Sequence, residues 1–402
     1  MARPQRCCHY MLPLILTAVC LGCAERQTGP WNLRQLNQPP ALQWVDTSGS
    51  VRQLYYTSEP YNGHATRVFA YYAVPENPAD RVPAMVLVHG GGGKAFREWA
   101  EMWAKRGYAA IAMDLAGCGP DAKPLPDGGP GQGHEDKFTA MKQGVHAVWS
   151  YHAVAAVIRA HSLLRKLPEV DPERIGITGI SWGGYLTCIV AGLDRRFKVA
   201  VPVYGCGFIY QDPTWTDPMS KLTAAERQQW IDNFDPSKYL AGCRTPIMFI
   251  NGTNDVYRLD CFEKTYRLVS GPRALRIGIR MPHSHPDGWA PKEIGLYVDS
   301  VLRNGQALPR IERITRQGAQ VQATVKSAVP IKAATLNYTT DTGGWKERKW
   351  ISRPAQLDRN GRSVNARLPT EEAITYFVNV ADERGAIVSS DIHTVPASAN
   401  TK

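Results

Sequence analysis

Long apolar runs are scarce in this chain. After residue 24 no stretch reaches the roughly 18 consecutive apolar residues that a membrane-crossing helix needs, so no transmembrane helix is expected. Cysteine is sparse as well: nine in 402 residues, four of them (Cys7, Cys8, Cys20, Cys23) within the first 23. The other five, Cys118, Cys188, Cys206, Cys243 and Cys261, are odd in number and form no C-x-x-C pair. That argues against a zinc site and against a dense disulfide framework, and leaves open one bridge among Cys206, Cys243 and Cys261. No Walker pattern is present: in "HGGGGK", His89 to Lys94, the next residue is Ala95 rather than serine or threonine, which excludes a phosphate cradle of that kind. Basic residues form no long run and no nucleic-acid motif accompanies them, so nucleic acid is not an expected partner. Internal repeats and sizeable low-complexity tracts are absent.

What is present begins with a leader. Arg3 and Arg6 precede "MLPLILTAVCLGC", an apolar run of signal-peptide length. "LGC" ending at Cys23 resembles a bacterial lipobox, with Cys20 where leucine is usual; cleavage after Ala24 is the competing reading. Residues 1–24 are therefore expected to be a signal peptide or lipoprotein leader. The protein is expected to be exported, whether periplasmic, secreted or held at the outer membrane by lipid on Cys23. The formal charge is +11, and +9 without Arg3 and Arg6. A solvated basic surface accounts for this; the sharper alternative is an acidic substrate such as a uronate-bearing polysaccharide. Oligomeric state is not legible.

Two textures divide the remainder. From 31 to 305, short apolar runs ("AMVLVHG", "AAIAMDL", "RIGITG", "VAVPVYG", "PIMFING", "ALRIGIRM") alternate with amphipathic helical stretches, after two early strands, "VRQLYYTS" and "TRVFAYYAVP". That pattern predicts an α/β fold, a doubly wound and mostly parallel sheet. From 309 to 402 short alternating strands follow one another, predicting an all-β sandwich of immunoglobulin or fibronectin type. This part carries fourteen basic and nine acidic side chains, a local net of +5.

The chemistry concentrates in "RIGITGISWGGYLT". Gly179, Ser181 and Gly183 form G-x-S-x-G between a buried strand and a helical run. A nucleophile on so sharp a strand-to-helix turn leaves no room for neighbouring side chains, which is why glycines flank it. A serine needs a base, and the base an orienting acid, here in the chain order serine, acid, histidine. Asp255 follows the strand "PIMFI", with Asp260 in reserve. "MPHSHPDGW" offers His285, preceded by the small Ser284, as the expected base, and His283 as the alternative. The oxyanion donors are expected at the Trp182 amide and in the "HGGGGK" loop, at Gly91 with Gly92 as neighbour. "PDGGPGQGHEDKF" and the segment from Tyr204 to Phe234 could shape the substrate site. In the latter, Thr223 and Glu226 predict a capping box, and Tyr210, Trp215 and Trp230 could stack on sugar rings, as could Trp289.

Together, "LVHGGGGKAFREWAEMWAKRGYAAIAMDLAG", "VDPERIGITGISWGGYLT", "IMFINGTNDVY" and "MPHSHPDGWAP" resemble the α/β-hydrolase superfamily, in its acetylxylan-esterase-like and prolyl-oligopeptidase-like branch. The resemblance covers residues 60–305. It implies a serine hydrolase with Ser181, Asp255 and His285 as triad, no metal and no organic cofactor. The expected activity is a carbohydrate esterase that deacetylates, or demethylates uronate esters, on a polysaccharide or a small ester. Trp182 stands where acetylxylan and cephalosporin deacetylases often have glutamine. A peptidase of the prolyl-oligopeptidase type is the alternative; an inert binding protein is a third reading.

Overall fold

The structure, a computed structural model, describes residues 29–369 apart from Asn77 and Ala79, and residues 374–395. The leader, with Cys23, lies outside the described residues.

Nine strands build one sheet: β1 (Leu42–Asp46), β2 (Val51–Tyr61), β3 (His64–Ala73), β4 (Val82–Val88), β5 (Ala109–Met113), β6 (Val170–Ile180), β7 (Val199–Val203), β8 (Ile247–Gly252) and β9 (Arg273–Gly278). Their order across the sheet is β1-β2-β3-β5-β4-β6-β7-β8-β9. The first three strands and β5 pair antiparallel, and from β5 to β9 neighbours run parallel. Parallel strands are covered on both faces, so they are apolar along their length rather than alternating; β5, β7 and β8 are buried at every residue. The covering helices include Trp149–Leu164 and Trp182–Leu193, which are buried nearly all round.

Three strands precede β4 where the sequence reading placed two. β1 is an outer strand whose residues alternate between half-buried and exposed, so its apolar signal is weak. The His89–Lys94 loop consequently follows the fourth strand.

The carboxyl-terminal part is all β. β10 (Arg310–Gln317), β11 (Gln320–Lys326), β14 (Gln356–Leu357) and β15 (Ser363–Arg367) form one antiparallel sheet. β12 (Ile331–Thr339), β13 (Ile351–Pro354), β16 (Ile374–Asp382), β17 (Ile387–Ser389) and β18 (His393–Val395) form a second. Strict alternation along β11 turns Val321, Ala323 and Val325 inward. Among the described residues Cys118, Cys188, Cys206, Cys243 and Cys261 form no disulfide, so the bridge left open among the last three is not made.

This second part caps the edge of the large sheet. β9 is the last strand there, and an uncovered edge is a template for aggregation. The Ile277 amide donates to Ser389 Oγ at 2.7 Å, and the Ile277 carbonyl accepts from Asn379 Nδ2 at 3.3 Å. Glu293, 3% exposed, accepts the Ile387 amide at 2.7 Å. Replacing Glu293 by alanine leaves that half-buried N–H without its acceptor and takes the carboxylate from Arg276 at 3.6 Å. The variant is expected to lose about 1–3 kcal/mol of stability in urea unfolding; an unchanged midpoint would show that the two parts do not depend on this bond.

Candidate active site

β6 ends at Ile180, and the helix Trp182–Leu193 begins at the next residue but one. Ser181 turns the chain between them at φ 58° and ψ −120°, a backbone conformation that a residue with a Cβ rarely adopts. The crossing is tight on both sides. A Cβ on Gly179 would sit 2.2 Å from the Gly183 carbonyl oxygen, and one on Gly183 would sit 1.9 Å from that of Val88. Ser181 itself is half-buried.

The histidine pairing differs from the expectation. His283 Nδ1 stands 2.7 Å from Asp255 Oδ2, while the other carboxylate oxygen accepts the Tyr257 amide at 2.8 Å. Asp255, not Asp260, holds a histidine; Asp260 is paired with Arg258 at 2.6 Å. The His283 ring stacks on Tyr204, centroids 4.3 Å apart, and faces Tyr257 at 6.4 Å. Tyr204, at φ 65°, donates its hydroxyl to the Pro282 carbonyl at 2.5 Å, fixing the start of the loop. Tyr257 is fully buried, which pushes its hydroxyl well above the ordinary tyrosine range. That hydroxyl lies beside Ser181 without a well-aligned hydrogen bond.

His285 does different work. Its Nε2 accepts the Gly90 amide at 2.9 Å, and its ring packs on Phe96 at 4.6 Å. Burial, with His283 adding to it, pushes its pKa down to about 4, so the ring is neutral and can accept. A base orientated by Asp255 is therefore excluded at His285 by geometry: one histidine meets the acid, the other meets the glycine loop.

His89 braces that loop from below. It is 1% exposed, accepts the Leu115 amide on Nε2 at 2.8 Å, and lies 2.8 Å from the Gly90 carbonyl through Nδ1. With Nε2 accepting, Nδ1 carries the proton and donates. The remaining amides of the loop are then accounted for. Gly90 is bonded to His285, Gly92 to Gln132 Oε1 at 3.2 Å, and Gly93 to the Gly90 carbonyl at 3.1 Å. Among the described residues, the Gly91 amide has no partner, and neither does that of Trp182, the first residue of its helix. The Gly91 and Trp182 amides are thus unbonded, whereas that of Gly92 is taken by Gln132. Gly91 lies on the Trp182 ring, where a Cβ would touch Cδ1 at 3.0 Å.

The aromatic candidates separate. Trp215 packs against Trp182 and Tyr257, both at 5.2 Å, with its Nε1 unpartnered. Trp230 is wholly buried and donates Nε1 to the Lys137 carbonyl, so it is core rather than a stacking surface. Trp289 packs under the histidine loop on Phe96 and Trp99. Tyr210 lines a separate groove with Met219 and Arg227. The capping box at Thr223 and Glu226 is present. Sequence reasoning missed Lys137, a buried cation between Trp149 and Trp182 whose Nζ donates to the Gln132 carbonyl. Burial lowers its pKa to about 8. With Gln132 on Gly92, it ties the glycine-rich segment 126–138 to the His89–Lys94 loop. Nothing local in the sequence marks it, because an isolated lysine normally lies at the surface.

Burial lowers the His89 pKa to about 4, below its unfolded value near 6.5. A depressed histidine pKa contributes stability that is complete above about 6.5 and is lost as pH falls toward 4. Wild-type protein is therefore expected to lose more unfolding free energy between pH 7 and pH 5 than His89→Gln does. Parallel pH profiles in urea melts would contradict a neutral, load-carrying His89.

A family model for acetyl xylan esterase matches residues 31–212, a span that holds Ser181 and the glycine loop and stops before Asp255 and His283. An uncharacterized peptidase, YuxL, of Bacillus subtilis (strain 168) is 27% identical over 190 residues, 43% of this chain and 26% of that protein. The chain thus spans about a quarter of the length of this relative. The acetyl xylan esterase from Paenibacillus sp. R4 superposes with a TM-score of 0.56 at 20% identity, covering 67% of this chain and 92% of the other. Acetyl xylan esterase 1 from Thermoanaerobacterium sp. JW/SL YS485 gives 0.55 at 16% identity, over 68% and 96%. In fold the chain is an α/β hydrolase with an added all-β part, and over residues 31–212 its sequence resembles the acetyl xylan esterases.

Proposed function

We propose that this chain is a serine carboxylic-ester hydrolase that removes acetyl groups from a polysaccharide outside the cytoplasm. The observation that carries the reading is the pairing of His283 with Asp255 at 2.7 Å, with Tyr257 facing His283 on one side and lying beside the strained Ser181 on the other. Ser181 Oγ attacks the ester carbonyl carbon while His283 Nε2 takes its proton. The negative charge moves to the carbonyl oxygen, which the Gly91 and Trp182 amides receive. The carbon–oxygen bond to the sugar breaks, the imidazolium returns the proton to the leaving alkoxide, and an acyl group remains on Ser181. Water then attacks, giving its proton to His283, and acetate leaves as Ser181 is reprotonated. Asp255 keeps Nδ1 protonated throughout, and Tyr204 fixes the ring plane. His285 acts on Gly90 and so positions the oxyanion loop. Similarity to acetyl xylan esterases supports the acetyl group and the sugar; export rests on the leader's sequence.

p-Nitrophenyl acetate hydrolysis separates the roles. Ser181→Ala and His283→Ala are each expected to lose about 10³-fold or more in kcat. His285→Ala is expected to lose less, about 10- to 100-fold, with the loss in the loop rather than in proton transfer. A His285 variant that is dead beside an active His283 variant would reverse the assignment. Prolyl and dipeptidyl amides in the same panel test the peptidase alternative, which faster amide than ester turnover would establish.

A further inference from the structure

Next to His283 the two parts of the chain meet in a groove of about 590 Å³. Asn254, Asp255, Arg280 and His283 line one side, and Lys346 and Arg348 the other. The second side comes from a loop of the all-β part that is held rather than free. Asn254 Nδ2 donates to the carbonyls of Lys346 at 2.9 Å and Arg348 at 2.8 Å. The Arg348 guanidinium lies 3.7 Å above the Trp345 ring and donates Nε to the Gly343 carbonyl at 3.0 Å. The Lys349 amide closes the segment onto Asp341 at 2.7 Å. A loop whose polar backbone is committed in this way keeps its side chains in place before a ligand arrives. Its latch is Asn254, the residue immediately before the acid that holds His283.

Charge in the groove is unbalanced. Three cations line it, Arg280, Lys346 and Arg348, and among the described residues none of them forms an ion pair. The acids that face them are Glu347, which lines the groove, Asp255, which is committed to His283, and Asp341, which lies near Arg348 and accepts the Lys349 amide. Asp260 nearby is neutralised by Arg258. Cations set against an enzyme's base, and outnumbering the acids that line the groove with them, present a site for an anion that arrives with the substrate. Planar guanidinium forks suit a carboxylate, and Lys346 adds a mobile point charge.

We propose that this groove binds a carboxylate-bearing sugar unit of the polymer, next to the unit whose ester lies at Ser181, so that the all-β part takes part in choosing the substrate. The proposal rests on the esterase reading of Ser181, His283 and Asp255. The test uses the full-length protein and two forms of one polymer, acetylated glucuronoxylan and the same material with its carboxyl groups reduced to alcohols. Acetate release gives kcat/KM on each, and p-nitrophenyl acetate reports the catalytic centre of every variant. Wild type is expected to prefer the carboxylate form by about threefold or more. Lys346→Ala combined with Arg280→Ala is expected to bring that ratio close to one, as is 0.5 M sodium chloride with the wild type. Lys346→Arg combined with Arg280→Lys keeps both charges and is expected to keep the ratio. Equal rates of the wild type on the two polymers, or a double-alanine variant with the wild-type ratio, would overturn the groove's role while leaving the esterase reading in place. Wild type that released acetate from neither polymer nor the small ester would remove the esterase reading itself, and the groove with it.

Discussion

A serine at φ 58° can begin a helix only where the chain around it has almost no side chains. β6 and the helix after it approach so closely that a single added carbon at Gly183 would lie 1.9 Å from the Val88 oxygen. That crossing ties three elements together: the strand that ends at Ile180, the strand β4 whose carbonyl it touches, and the helix whose first amide stays unbonded. The glycine loop after β4 then comes within reach of the same serine; a Cβ on Gly90 would meet Ser181 Cβ at 2.9 Å. The turn at Ser181 and its closeness to the glycine loop are thus consequences of one packing constraint, and the strain at Ser181 is held by the buried helix that follows.

The remaining chemistry is divided by partner choice. One turn after β8 performs three tasks with three residues out of four. Asn254 latches the loop of the all-β part, Asp255 holds His283, and Tyr257 lies beside Ser181. The two histidines of the following loop differ in surroundings, not in type. His283 is a third exposed, with a carboxylate on one nitrogen and an aromatic face beneath it. His285 sits among Phe96, Trp289 and the glycine backbone, where a charge would be costly, so it serves as a neutral acceptor.

The second part of the chain is more than an appendage in this arrangement. It covers the edge of β9 and supplies a wall beside His283. A hydrolase sheet with an uncovered last strand would carry an aggregation hazard, and covering it brings foreign side chains to the rim of the site at the same time.

Much of this was written locally. The apolar runs of β4 to β9, the glycines around Ser181, the capping box at Thr223 and the alternation of the carboxyl-terminal strands depend on short-range sterics and burial, and these act on neighbouring residues. Ser181 and Asp255 could be named for the same reason: each follows directly from the strand before it. His283 and His285 could not be told apart, because they lie two residues from each other and differ only in what the rest of the fold brings to them. The small residue before His285 says nothing of which ring meets Asp255; Tyr204, from the end of β7, fixes Pro282 and stacks under His283. Trp230 and Asn254 likewise acquired their roles from partners more than 90 residues away in the chain, Trp230 through the Lys137 carbonyl and Asn254 through Arg348. The sequence by itself determined the parallel strands β4 to β9, the tight turn at Ser181 and the all-β texture of the second part, since those are consequences of local shape and polarity. Which histidine meets the acid, which amides stay unbonded and what wall the second part builds were decided only by tertiary packing, because each is a contact between surfaces that local sequence does not bring together.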